Sequence, residues 1–155
     1  MTVPAPTTRT RKETADLLKR MVVMHWVKRG FSCFVEQGVN RRGMLRADVI
    51  AVSLSGHVII TEVKSCKADF TSDKKFEQYR PYCDQFYLAW PKDFDVDLPA
   101  GTGLLLPTAR GHLRAARPAS NIKMDGPTRK MLILRLAWRA GTYSKRNTRR
   151  TRIYL

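Results

Sequence analysis

Apolar and polar positions are most clearly organised in the middle of the chain. Two apolar runs, residues 49–52 and 58–61, are separated by a short stretch containing serine and glycine, a pattern that predicts a β-hairpin. A three-residue turn over 54–56 would place Asp48 opposite Glu62. A two-residue turn at Ser55 and Gly56 would shift the pairing by one residue and leave the two acids diagonal. The sequence leaves both registers open.

The pattern on either side of the hairpin predicts an α/β order of helix, three strands, helix and strand. A strand, helix and strand of this spacing implies a right-handed crossover to a parallel neighbour. A second hairpin would extend the sheet, and a final helix would cover it. This helix is opened by residues 125–127 and runs to about Ala140, with Gly141 as its stop. The elements are a helix from a Thr10 capping box to Gly30, strands over 31–35 and 85–90, a helix over about 71–84, and hairpin strands over 104–106 and 113–116.

The length of 155 residues predicts one folded domain. We place it at residues 10–141, after a flexible N-terminus (1–9) and before a basic C-terminal tail (142–155). The chain has 29 Lys and Arg against 13 Asp and Glu, a formal net charge of +16. Such a surplus favours a polyanionic partner, most simply nucleic acid, although a basic structural RNA-binding protein would share it.

Two other classes of protein fit the sequence poorly. The three cysteines have no metal-ligand spacing and the three histidines do not cluster near them, so we expect no zinc site. No apolar run reaches the ~18 residues of a membrane span, and the N-terminus has no hydrophobic signal core. We therefore expect a cytoplasmic protein without a membrane partner.

Charged residues flank the apolar runs of the first hairpin. Asp48 precedes the first run, and Glu62 and Lys64 follow the second, two residues apart and hence on one face of the strand. Two neighbouring carboxylates repel each other unless a cation lies between them, and oxygen ligands favour Mg²⁺ or Mn²⁺ over zinc. A lysine beside such an ion can orient a water molecule or neutralise a phosphoryl group.

The same residues carry a family resemblance. RADVIAV, followed by TEVKSCKADFTSDKKFEQYRPYCDQFYLAWP, is similar over roughly residues 31–140 to the MmcB-like family of bacterial proteins associated with DNA repair. Asp48 with Glu62-Val63-Lys64 resembles the D…ExK motif of the PD-(D/E)XK nuclease superfamily, with Ala47 in place of the proline. The resemblance implies a restriction-endonuclease-like core, an αβββαβ mixed sheet flanked by helices.

The resemblance also implies an activity and a site. It implies a metal-dependent DNA endonuclease in repair or recombination, in which Asp48, Glu62 and the backbone carbonyl of Val63 hold Mg²⁺ and Lys64 positions the water. The chain shows no base-reading helix, so structure-selective cutting of branched or single-stranded DNA is expected. A catalytically inactive DNA-binding module is the alternative. The resemblance also allows a homodimer, and a bacterial or phage origin.

Further acidic candidates have two interpretations each. Glu13 either belongs to the capping box of the first helix or completes the metal site, as a first-helix glutamate does in several related nucleases. Glu36, at the end of the first strand, either adds a third carboxylate or is a solvated strand end. Asp73 matches the family pattern, and its position near a helix start favours a capping role.

Candidate DNA-binding residues lie in three places. Arg41, Arg42 and Arg46 either grip phosphates or form an exposed basic turn. Gln78 forms with Tyr82 a Q-x-x-x-Y pair that resembles a RecB-type nuclease motif, but the pair also fits a packed helix face. The tail is either a DNA-tracking arm or a solubilising end; its basic residues include Lys145, Arg146, Arg149 and Arg150.

Overall fold

The computed structural model describes residues 8–73 and 75–150, and only the backbone of 142–150. Its helices and strands follow the predicted order. They are α1 (Arg11–Val27), β1 (Ser32–Gly38), β2 (Arg46–Val52), β3 (Val58–Val63), α2 (Lys67–Ser72), α3 (Phe76–Tyr79), a 3-10 turn (Arg80–Tyr82), β4 (Gln85–Ala89), β5 (Gly103–Pro107), β6 (Leu113–Arg117) and α4 (Gly126–Arg150).

The six strands form one mixed sheet in the order in which they occur in the chain. β3, β4 and β5 are parallel to one another, and the remaining neighbours are antiparallel. The pairing of β3 with β4 confirms the predicted parallel neighbour, and the antiparallel pairing of β5 with β6 confirms the second hairpin. The fold is therefore the mixed α/β class that the sequence predicts.

The register of the first hairpin matches the three-residue turn. Val49 pairs with Thr61, and Val52 pairs with Val58. The turn closes through a 3.0 Å hydrogen bond from the Ser53 N–H to the His57 carbonyl, and Gly56 has a φ of +82°, the left-handed conformation that favours glycine. Continued by one residue, this register places Asp48 opposite Glu62.

Each face of the sheet is covered by one long helix. Leu18, Val22 and Trp26 of α1 pack on one face, where the Trp26 indole N–H donates to the Thr61 hydroxyl at 3.0 Å. Leu132 and Leu136 of α4 pack on the other face. Each such buried side chain contributes about 1.5–3 kcal/mol of hydrophobic stabilisation.

A buried acid joins α4 to the sheet at the end where β3 begins. Asp84, 3% exposed, accepts the N–H of Val58 at 2.8 Å and that of Met124 at 3.1 Å. Both terminal nitrogens of Arg129 on α4 donate to the same carboxylate, at 2.5 and 2.8 Å. These contacts hold the pKa of Asp84 at about 2: burial opposes the shift, but the Arg129 hydrogen bonds and the two backbone donors outweigh it.

The single helix predicted over 71–84 is wrong. The chain instead forms α2, α3 and the 3-10 turn. The Asp73 carboxylate accepts the N–H of Lys75 at 2.8 Å, a local bond that competes with helix continuation, and Pro81 lacks the N–H that an α-helix needs. The apolar spacing of Phe76, Tyr79 and Cys83 suggests one helix face toward the core; Tyr79 and Cys83 are buried in the core, while Phe76 is only partly buried.

Two predicted boundaries are also wrong. β1 does not end at Val35, because pairing with β2 continues through Gln37 and Gly38. α4 does not end at Gly141 but runs to Arg150, since one glycine costs a helix only about 1 kcal/mol. The division into a domain over 10–141 and a tail stays a prediction, and residues 1–7 and 151–155 lie outside the described part.

Candidate active site

Three acidic residues lie side by side where β1 ends, β2 begins and β3 ends. On β1 and β2, Val35 pairs with Val49 and Gln37 pairs with Ala47, so Glu36 lies opposite Asp48. On the other side of Asp48, the hairpin register places Glu62. Asp48 is therefore the central member of a row of carboxylates on three adjacent strands.

Asp48 and Glu62 are held together by reciprocal hydrogen bonds. The Asp48 N–H donates to Glu62 Oε1 at 2.9 Å, and the Val63 N–H donates to Asp48 Oδ2 at 2.8 Å. Each carboxylate thus accepts a backbone donor from the strand of the other. The structure brings together the two acids that the sequence predicts as metal ligands.

Glu62 is buried beside a second negative charge. Its exposed fraction is 6%. Burial, followed by repulsion from Asp48, raises the pKa of Glu62 to about 8, although the Asp48 N–H and Lys64 act in the opposite direction. A cation bound between the two carboxylates would remove this penalty.

The donor set fits a hard divalent cation. Only carboxylate and backbone oxygens are offered by Asp48, Glu62 and Val63, and such ligands suit Mg²⁺ or Mn²⁺ better than zinc. Within the described ranges, no group of three or more His, Cys, Asp or Glu residues has the geometry of a metal cluster. An ion held here would therefore complete its shell with backbone and water oxygens.

Lys64 is tied to an acid from the crossover segment. Its ammonium group bonds to the carboxylate of Asp73, and the two side chains are only 13% and 18% exposed. Burial by itself would raise the pKa of Asp73, but the hydrogen bonds from Lys64 and from the Lys75 N–H outweigh burial and lower this pKa. The expected capping role of Asp73 is wrong, because the N-cap residue of α3 is Lys75 and no side chain caps that helix. Asp73 instead fixes Lys64, which the sequence did not indicate.

Lys19 of α1 was missed by the sequence analysis. Its Nζ lies 2.8 Å from Glu36 Oε1 and 3.8 Å from Asp48 Oδ1. Burial by itself would lower the pKa of Lys19, but the contacts with Glu36 and then Asp48 outweigh burial and raise it. Lys19 therefore remains an ammonium. The available signal was its position next to buried Leu18, at the border of the apolar face of α1.

Glu36 has an unusual backbone conformation. Its φ is +52°, within the left-handed region that costs a residue with a side chain about 1–2 kcal/mol. It lies inside β1 and not in a loop after the strand, and its ordered contact with Lys19 lowers its pKa. The side chain is 48% exposed, as a solvated strand end would be, but it also has an ordered partner in Lys19.

Glu13 forms the predicted capping box. The Thr10 N–H donates to Glu13 Oε2 at 2.8 Å, and the Glu13 N–H donates to Thr10 Oγ1 at 3.2 Å. The cap is confirmed and accounts for this glutamate without a metal ion.

The predicted DNA-binding side chains are exposed where the structure describes them. Arg41, Arg42 and Arg46 lie in or beside the loop between β1 and β2, and Gln78 lies on α3. The Tyr79 hydroxyl donates to the Arg46 carbonyl at 2.7 Å and so joins this loop to the crossover. The side chains of Lys145, Arg146, Arg149 and Arg150 lie outside the described residues.

The sequence of the chain matches a family model along most of its length. Residues 2–149 match the model described as DNA repair protein MmcB-like. The chain belongs to the MmcB-like family. This confirms the family resemblance found in the sequence.

The MmcB-like chain is also similar to a solved structure. The SPO1766 protein of unknown function from Silicibacter pomeroyi is 30% identical, with a TM-score of 0.76 over 92% of this chain and 97% of that one. No curated protein sequence matches the chain. The likeness supports the mixed α/β fold and leaves the activity of this MmcB-like protein to be argued from its site.

Two further features bear on the site and its surroundings. Burial, followed by the charge of Glu62, raises the pKa of Tyr79, so its hydroxyl stays a neutral donor beside the carboxylates.

Over the part of the MmcB-like chain that the structure describes, every helix is too short or too polar to span a bilayer.

Proposed function

We propose that this MmcB-like protein is a metal-dependent DNA endonuclease of the PD-(D/E)XK type that acts in repair or recombination. The observation that carries the proposal is the reciprocal bonding of Asp48 and Glu62, with Lys64 two residues further along the same chain segment. The family places the chain among proteins associated with DNA repair. The order of helix, three strands, crossover and strand supports the nuclease core.

Asp48, Glu62 and the backbone carbonyl of Val63 would hold Mg²⁺ or Mn²⁺. Such an ion supplies Lewis-acid stabilisation of the phosphoryl oxygens and lowers the pKa of a bound water. The protein contributes a rigid frame, because the backbone N–H groups of Asp48 and Val63 fix both carboxylates. Glu62 is too buried to change its position freely.

Lys64 would position the attacking water and stabilise charge on the phosphate. A lysine ammonium has three donors, and the bond to Asp73 uses one of them. The remaining two can bind a water molecule and a phosphoryl oxygen. Asp73 keeps the ammonium in place before substrate arrives, which reduces the ordering required in the transition state.

DNA would be held through its phosphates. The net charge of +16 and the exposed Arg41 and Arg42 beside the row of carboxylates supply the attraction. The described helices include none with the placement of a base-reading element, so the proposal is for structure-selective cutting.

Cleavage by the full-length protein tests this function. Linear, single-stranded and four-way-junction DNA are incubated with Mg²⁺, Mn²⁺ or EDTA, beside Asp48→Asn and Lys64→Met. Lys67→Met is the matched control, since Lys67 is an exposed lysine three residues along the chain, which bonds to the Asp95 carbonyl at 3.0 Å. We expect cleavage with metal by wild type and Lys67→Met, and a loss on the order of 100-fold or more in the other two variants.

A thermal melt gives a second readout. Mg²⁺ should raise the melting temperature of wild type and of Lys67→Met but not that of Asp48→Asn. No cleavage of any DNA with either metal, or cleavage unchanged by Asp48→Asn, would refute the nuclease.

The alternative is a DNA-binding module without turnover. One observation favours it: both site lysines already bond to carboxylates, Lys64 to Asp73 and Lys19 to Glu36. Such a module would bind DNA equally well in EDTA and with Lys64→Met. The homodimer stays a prediction, which sedimentation of the full chain tests.

A further inference from the structure

Lys19 lies at the Glu36 end of the row of carboxylates, in contact with Glu36 and close to Asp48. It comes from α1, whereas the acids come from the sheet, and its side chain is 16% exposed. The ammonium bonds to Glu36 at 2.8 Å and lies 3.8 Å from the outer oxygen of Asp48. The other Asp48 oxygen is directed to the Val63 N–H. The two oxygens of Asp48 therefore serve different sides of the site.

Glu36 is held in this arrangement against a backbone preference. Its left-handed φ of +52° occurs between paired neighbours, Val35 and Gln37, on a strand whose register is otherwise regular. Such conformations persist where the surroundings enforce them, and they cluster at functional sites. The contact with Lys19 is the ordered partner of this side chain.

The charges of the directly bonded groups of the site match one divalent cation better than two. Four carboxylates belong to it, Glu36, Asp48, Glu62 and Asp73. They face two ammonium groups, Lys19 and Lys64, so two positive charges are missing. One divalent ion supplies them, whereas a second ion at Glu36 and Asp48 would be repelled by the ammonium group of Lys19, which already bonds to Glu36.

Glu36 and Asp48 nevertheless present oxygens that suit a second ion. Two-metal phosphodiesterase sites hold their ions about 3.5–4 Å apart and share a carboxylate between them. Asp48 is placed to be such a shared ligand, with Glu62 on one side and Glu36 on the other. The Lys19 ammonium lies where the second ion would have to be.

We propose that Lys19 is a built-in cation that takes the place of a second metal ion at Glu36 and Asp48, so that the site binds one divalent ion, between Asp48 and Glu62. The inference rests on the proposed function, because it presumes the ion between Asp48 and Glu62. Lys19 is a positioning residue, which acts on the reaction through Glu36 and Asp48.

Metal stoichiometry of the full-length protein tests the inference without any assay of activity. Mn²⁺ is titrated and the free ion is measured by electron paramagnetic resonance. We expect one bound Mn²⁺ in wild type, two in Lys19→Gln, and one again in Lys19→Gln with Glu36→Gln. Arg20→Gln, which removes an exposed cation from the next position of α1, is the matched control and should bind one.

Two quantities sharpen the comparison. Lys19→Arg keeps the positive charge and should also bind one ion. In Lys19→Gln the first ion should bind on the order of tenfold more tightly than in wild type, because the positive charge of Lys19 no longer repels it. Circular dichroism establishes that each variant is folded. If Lys19→Gln does not fold, the wild-type stoichiometry still decides, since two bound ions there would overturn the inference.

The failures of the two proposals differ. One ion in both wild type and Lys19→Gln would overturn the role of Lys19 and leave the one-metal nuclease intact. No bound ion in wild type would overturn both.

Discussion

The buried ion pair between Asp84 and Arg129 gives a stability change whose size follows from the structure. The carboxylate is 4% exposed, accepts two backbone N–H groups and receives both terminal nitrogens of Arg129. Its pKa of about 2, against an ordinary 3.8, corresponds to about 2 kcal/mol of stability at neutral pH. Replacing one partner of a buried pair also strands the other, so Asp84→Asn should cost about 2–4 kcal/mol.

The pH dependence provides an independent check of this value. A carboxylate whose pKa is lowered by folding stabilises the protein above its unfolded pKa, and this contribution is lost as the pH falls through the folded pKa. The Asp84 contribution should therefore be complete at pH 7, fall to about half by pH 3 and vanish below pH 2. Asparagine does not titrate, so the difference in free energy of unfolding between wild type and Asp84→Asn should become smaller as the pH falls from 7 to 3.

Urea denaturation at pH 7, 5 and 3 measures both effects. In a thermal melt of a chain of this length, the loss of about 2–4 kcal/mol of stability at pH 7 corresponds to a melting temperature lower by about 4–16 °C. Asp125→Asn is the matched control, because Asp125 is an exposed acid near Arg129 that caps α4 through the Thr128 N–H, a role that asparagine keeps. A loss below about 0.5 kcal/mol in Asp84→Asn, or a difference that does not narrow in acid, would refute the reasoning.

Three other predictions concern the site and its surroundings. In EDTA, raising the pH from 6 to 9 should lower the melting temperature of wild type more than that of Glu62→Gln. The reason is that Glu62, a buried acid with a pKa of about 8, ionises over this range, and its charged form destabilises the fold. Equal pH profiles of the two proteins would contradict this. Tyr79→Phe should cost about 1 kcal/mol in urea denaturation, since the hydrogen bond to the Arg46 carbonyl is removed, whereas Tyr82→Phe should cost less; equal losses would count against that bond. Removing residues 143–155 should weaken DNA binding and make it less dependent on salt. The slope of log K against log salt concentration should fall by about one unit for each phosphate that the tail neutralises, which filter binding at several salt concentrations measures. An unaltered slope would rule out a DNA-tracking arm.

The sequence was most informative where a local pattern determines the geometry. The two apolar runs and the short turn between them limited the first hairpin to two registers, and the structure has the one that places Asp48 opposite Glu62. The period of two along a strand likewise predicted that Glu62 and Lys64 leave the same face. The capping box at Thr10 is equally local, since its two hydrogen bonds join residues three apart.

The sequence was least informative where partners are distant in the chain. Lys19 and Glu36 are 17 residues apart and on different elements. The place of Lys19 at the border of the apolar face of α1 indicates partial burial but not which acid it contacts. The left-handed φ of Glu36 has no sequence signal, since glycine is the usual residue there. The broken crossover was missed because the apolar spacing of Phe76, Tyr79 and Cys83 fits one helix, while the side-chain bond at Asp73 and the missing N–H of Pro81 interrupt it.

The first helix supports both the core and the charge balance of the site. Trp26 is fixed to Thr61 within the sheet, and Lys19 lies seven residues earlier on nearly the same side of the helix. One inserted or deleted residue between them would rotate Lys19 by about 100° around the axis, away from Glu36, and leave the hydrophobic content almost unchanged. Natural length variation among relatives should therefore be absent between these two positions and be found in the surface loops, such as the one that carries Arg41 and Arg42.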